Sequence, residues 1–133
     1  MSSNRKTLKI LSLVLFVLAI LTLVVGCVDV AGSISATDGS REPGIASGAL
    51  FIVAAVLYVV SSVQGIRGAN RPRSLTGVHF AVSVLGALAT LVGEVVVMSG
   101  IAVGIVPLLL IVPAVISLMA GLTGTRVRKE IEL

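Results

Sequence analysis

Two ionisable side chains stand where an apolar sequence has little ordinary use for them. Glu94 is the only acid inside a long apolar run, and His79 is the only histidine in the chain. A carboxylate within a membrane helix is costly and by default marks proton or cation coupling. An imidazole titrates near neutral pH. Each also has a plainer reading. Glu94 lies close before a candidate turn, from which it reaches headgroups or a neighbouring helix, and His79 makes an interhelical hydrogen bond or meets headgroups. The two are fifteen residues apart, about 22 Å of helix, so they do not pair within one helix.

Cys27 is the only cysteine, which excludes an intrachain disulfide and a multi-thiolate metal site. Val24-Val25-Gly26-Cys27, after a basic start and an apolar stretch, fits a permissive bacterial lipobox, at which cleavage leaves a lipid-modified cysteine. The apolar stretch is longer than a usual signal core, and the alternative is an ordinary thiol near the outer end of a span. Asp29, Asp38 and Glu42 share one loop, without the spacing of a calcium loop. One histidine makes a transition-metal site improbable. The sequence has no G-x-S-x-G, H-E-x-x-H, P-loop or dinucleotide fingerprint, so neither an enzyme nor a cofactor is expected.

The elements that must position these groups are helices in lipid. Of 133 residues, 56% are hydrophobic and only 12% charged, with a mean hydropathy of +1.15. That leaves too little polar residue for the shell of a soluble domain of this length. Apolar runs place spans at about 8–28, 45–66, 75–98 and 101–122, each long enough to cross a bilayer. The last two come from one continuous run, divided at Ser99-Gly100 as the natural place for a tight hairpin. The stretch 29–44, rich in Gly, Ser and Asp and closed by Pro43, reads as a loop without regular structure. A basic connection follows at 67–74 and a polar tail at 123–133.

Nine cations fall on one side of this layout: Arg5, Lys6, Lys9, Arg67, Arg71, Arg73, Arg126, Arg128 and Lys129. Arg41 alone falls on the other. The positive-inside rule then puts both termini in the cytoplasm. The net charge of +4 reads as topology and attraction to anionic lipid. Aromatics make up 3% of the chain, with no Trp, which argues against a nucleic-acid binder. The expectation is an all-α membrane protein, a four-helix transmembrane bundle in the plasma membrane.

Apolar burial does not drive helices together in lipid, so close backbone approach and interhelical hydrogen bonds must do it. The third span carries Thr76, His79, Ser83, Gly86, Thr90 and Gly93 at steps of three and four. The second carries Gly44, Gly48, Phe51, Ala55, Tyr58, Ser62 and Gly65 in the same register, and the first Ser12, Ala19, Thr22, Gly26 and Asp29. The fourth carries Gly100, Gly104, Ala114, Ser117 and Gly121, together with Pro107 and Pro113, which should bend it.

The basic start, the stretch Gly65-Ile66-Arg67-Gly68-Ala69-Asn70-Arg71-Pro72 and the Pro-containing last span with its basic tail together resemble small four-span membrane proteins of Gram-positive bacteria. Those families have no assigned activity, so the resemblance implies a layout and no chemistry. Small multidrug-resistance transporters share the length and span number but carry their essential glutamate in the first helix, where this chain has no acid. The primary expectation is therefore a non-enzymatic accessory or structural component acting through helix-helix contacts, as a homo-oligomer or with another membrane protein. Two alternatives stand beside it: a small oligomeric transporter or ion-coupled exporter using Glu94, and a lipoprotein processed at Cys27.

Overall fold

The computed structural model describes residues 2–37, 39, 41–100 and 109–132. The regular elements among them are helices: α1 Ser3–Ile34, α2 Arg41–Asn70, α3 Gly77–Gly100 and α4 Ile111–Glu132. A short 3-10 turn, Pro72–Ser74, joins α2 to α3. Three of the helices, α1, α2 and the Gly77–Met98 stretch of α3, are long and apolar enough to cross a membrane, which marks the chain as a small membrane protein. The described part of α4 does not reach that standard. Its apolar stretch runs only from Ile111 to Leu122 before Arg126, Arg128 and Lys129. The first residues of the expected fourth span, 101–108, lie outside the described residues, and Gly104 and Pro107 are among them.

Helix outruns the expected loop. The stretch 29–44, expected to lack regular structure, is helical up to Ile34 and again from Arg41. The cause is packing: a Cβ on Gly48 would stand 2.7 Å from Val30 Cγ2, so the last turns of α1 still lie against α2. Contact of this kind overrides the weak helix propensity of Gly and Ser. Gly39, with φ of +88°, takes the left-handed turn that a side chain resists. Pro43 falls in the first turn of α2, where a missing N–H has no helical partner to lose. Pro113 likewise sits in the first turn of α4. Leu110 is a turn residue and α4 begins at Ile111, while Pro107 and the rest of the stretch in which the bend was expected lie outside the described residues. The ring of Pro113 clashes with the carbonyl four residues earlier, that of Leu109.

The helices run alternately up and down and close into a ring, α1 on α2, α2 on α3, α3 on α4 and α4 back on α1. Its interior is small and hydroxylated, with Ser12, Thr22, Ser47, Ser61, Ser62, Ser83, Thr90 and Ser117 all buried. Large apolar side chains such as Val17, Ile20, Val56, Leu85, Leu88 and Leu122 face outward. This pattern inverts that of a soluble bundle and suits helices surrounded by hydrocarbon. The backbones of α1 and α2 touch where Gly26 meets Gly48, since a Cβ on either would come within 2.9 Å of the other's carbonyl oxygen. On α3, Gly86 makes room for the Tyr58 ring and Gly93 for the Phe51 ring.

Candidate functional site: a polar column with an ionisable group at each end

The inward face of α3 carries His79, Ser83, Gly86, Thr90, Gly93 and Glu94, all of them buried. Thr76 stands just before the helix and is exposed, and its hydroxyl accepts the Val78 N–H at 3.3 Å as an N-cap. Between the two ionisable residues the column is satisfied. Ser83 donates to the His79 carbonyl at 2.8 Å, so the Ser61 hydroxyl is the donor in the 2.7 Å Ser61–Ser83 bond. Ser117 of α4 donates to the Ser83 carbonyl at 2.8 Å. Thr90 donates to the Gly86 carbonyl at 3.2 Å, which leaves Tyr58 to donate to Thr90 at 2.5 Å. These bonds tie α2, α3 and α4 together and spend the hydroxyl protons doing so.

Neither end is satisfied. Glu94 is 4% exposed, and among the described residues neither of its carboxylate oxygens has a hydrogen-bond partner. Among the described residues, no donor on a neighbouring helix meets it. Asp29 of α1 lies near enough to act on it electrostatically, so one acid faces another across the helix boundary. Among the described residues no cation pairs with either, and they hold no metal-ligand cluster.

His79, at the opposite end, is where four helices converge. A Cβ on Gly124 of α4 would stand 2.6 Å from its Nδ1, and one on Gly65 of α2 would stand 3.3 Å from its Nε2. The same point on Gly65 is crowded by Ser12 Oγ of α1. The ring therefore fits only because two helices present glycine to it. His79 is 2% exposed, yet Nε2 lacks a partner, and so does the buried Ser12 Oγ beside it. The residues Ser12, Gly65 and Gly124 follow the helical register in the sequence, but nothing there shows that they meet at one imidazole.

The other candidate residues lie apart from this column. Gly44 and Gly48 are buried on α2, Gly100 closes α3, and Gly104 lies outside the described residues. Cys27 faces outward on α1 as a free thiol. Cleavage before it would remove Leu8, Ser12, Leu15, Ala19, Thr22, Val25 and Gly26, the buried face of α1. Of the loop acids, Glu42 is exposed in the first turn of α2, and Asp38 lies outside the described residues.

The cations gather at the His79 end. Arg5 donates to the carbonyls of Ala69 at 2.8 Å and Asn70 at 3.2 Å, and Glu130 accepts from Ser2 and Asn4. Arg128 reaches the start of α3, its Nη1 being 3.7 Å from where Gly77 would carry a Cβ. Both termini and the α2–α3 connection are thus drawn to one end of the molecule. The chain matches no protein-family profile, no curated protein and no solved structure.

Proposed function

We propose that this chain is a non-enzymatic, multi-pass protein of the plasma membrane, cytoplasmic at both termini, in which Glu94 takes up a proton or monovalent cation in ion-coupled transport. One observation carries the reading: a carboxylate 4% exposed in an apolar helix, with both oxygens unpartnered among the described residues. A charged side chain costs roughly 2.5–3.5 kcal/mol at the centre of a membrane helix on insertion scales, and less toward its ends, where Glu94 lies. A purely structural polar group offsets part of that cost with a hydrogen bond, as Ser83 and Thr90 do. Glu94 does not, and protonation or a bound cation is what would offset it. The hydroxyl bonds fill the bundle between Glu94 and His79, so a path past Glu94 runs between copies of the chain, which makes a homo-oligomer part of the reading.

The test is Glu94→Gln, which keeps the shape of the side chain and removes its proton equilibrium. In proteoliposomes under an imposed pH gradient, the wild type should dissipate the gradient and the variant should not. In pH-jump infrared difference spectra, the variant should lose a carboxyl band that Asp29→Asn retains. Wild-type behaviour of Glu94→Gln in both assays ends this reading.

A second reading, an accessory component that docks another membrane protein, rests on a different observation. Ala19, Ile20, Leu23, Ala55, Val56, Val59 and Val60 line an apolar groove of about 200 Å³ on the outer face of α1 and α2. It predicts a complex with a second, different protein in native mass spectra from gently extracted membranes, unaffected by Glu94→Gln.

A further inference from the structure

A polar cavity opens at the cation-rich end, separate from Glu94. It has a volume of about 100 Å³ and is lined by Gln64 and Arg67 of α2, Ser74, Leu75 and Thr76 of the connection, and His79 of α3. That is several times the ~10–15 Å³ needed to hold one water. Its chemistry is that of a site for an oxyanion. Arg67 supplies a guanidinium and Thr76 a hydroxyl proton, while the Ser74 hydroxyl donates to the Arg71 carbonyl at 2.8 Å. Thr76 stands at the N-terminus of α3, a helix of 24 residues, where the macrodipole favours negative charge.

The inner wall is formed by His79 and Gln64. His79 is 2% exposed, and its Nε2 edge, turned toward the α2 wall at Gly65, has no partner. Gln64, on the same wall, also carries an unpartnered amide oxygen. The amide of Gln64 can present its NH2 by rotation about its last torsion. Beyond Leu75 a larger hollow of about 360 Å³ continues between Arg73, Arg128, Pro72 and Ile131. Its two guanidiniums and its apolar side chains match a group that is charged at one end and hydrocarbon at the other.

We propose that the inner cavity binds a phosphate group, held by the Arg67 guanidinium and the Thr76 hydroxyl at the start of α3. The nearest abundant source of that group is the phosphodiester of an anionic lipid in the adjoining leaflet, whose remainder occupies the outer hollow beside Arg73 and Arg128. Free inorganic phosphate offers the same chemistry without the hydrocarbon. The proposal is independent of the role of Glu94.

The test uses the full chain in nanodiscs of phosphatidylcholine doped with phosphatidylglycerol, read by native mass spectrometry after release from the disc. The wild type should retain one phosphatidylglycerol per chain in preference to phosphatidylcholine. Arg67→Gln and Thr76→Val should each lower that retention about tenfold, the worth of one charge-assisted hydrogen bond. Arg71→Gln, an exposed cation outside the cavity lining, should leave it unchanged. Arg67 and Thr76 are both exposed, so these variants should fold even where changing the buried His79 would not. If phosphatidylglycerol is not retained but phosphorus NMR shows inorganic phosphate binding that Arg67→Gln abolishes, the site stands with free phosphate as its ligand. Equal losses in Arg67→Gln and Arg71→Gln would reduce the effect to diffuse charge and overturn the proposal. Binding of neither ligand would overturn it as well.

Discussion

Tyr58 shows what a single polar group does in this bundle. Its hydroxyl donates to Thr90, which already spends its own proton on the Gly86 carbonyl. Removing the hydroxyl in Tyr58→Phe leaves Thr90 bonded and the ring still seated on Gly86. The loss should therefore be modest, about 0.6 kcal/mol and at most about 1.7, the range of interhelical hydrogen bonds in membranes. A double-mutant cycle with Thr90→Val, followed by unfolding in detergent, isolates that term, and a coupling well above this range would show that more than one bond is at stake. At this scale the sequence singles residues out by type and place and is silent about their state. Glu94 and His79 stand out by type and place alone. That both would be buried with unpartnered atoms depends on which side chains from other helices arrive beside them, and a hydropathy pattern does not encode that. Ser12, Gly65 and Gly124 each look like ordinary small residues until the fold brings them to one imidazole.

The helices themselves were legible because lipid leaves the chain few other choices for its backbone polar groups. The inward faces followed as well, since steps of three and four select one stripe of a helix. Where each helix ends was less accessible. Residues Val30 to Ile34 continue α1 because Val30 packs on Gly48, a contact made with another element. Two glycines separate pattern from contact. A Cβ on Gly48 would stand 2.8 Å from the Gly26 carbonyl oxygen and 3.0 Å from the Val30 nitrogen, and neither backbone atom can yield without moving α1 away. Gly48→Ala should thus cost about 1–3 kcal/mol, as overpacking does, and Gly48→Leu more. Gly32, on the same two-helix layer, has nothing within 4 Å of its Cβ position. Gly32→Ala should be neutral or stabilise by up to about 1 kcal/mol through helix propensity. Thermal unfolding in one detergent orders the three variants. A Gly48→Ala protein as stable as wild type would mean that α1 and α2 do not approach as closely as described.

For the whole molecule the decisive asymmetry is charge. The nine cations that the sequence distributes over two termini and one connection come together at a single end of the bundle, linked by the Arg5–Ala69 and Asn4–Glu130 bonds. At the other end Asp29, Arg41 and Glu42 hold a net charge of about −1 by formal counting of those three. The bundle is therefore strongly polarised along its axis, and insertion should fix the cationic end in the cytoplasm. The single native thiol makes this measurable. In a Cys27→Ser background, Thr37→Cys places a thiol in the exposed stretch after α1, and Arg71→Cys places one in the exposed connection after α2. A membrane-impermeant maleimide should label Thr37→Cys in intact cells and Arg71→Cys only after permeabilisation. The reverse pattern would put the cationic end outside and remove the inner leaflet as the source of phosphate at Arg67. Labelling of both from one side would mean that α2 does not cross, and the multi-pass arrangement on which the role of Glu94 depends would fall.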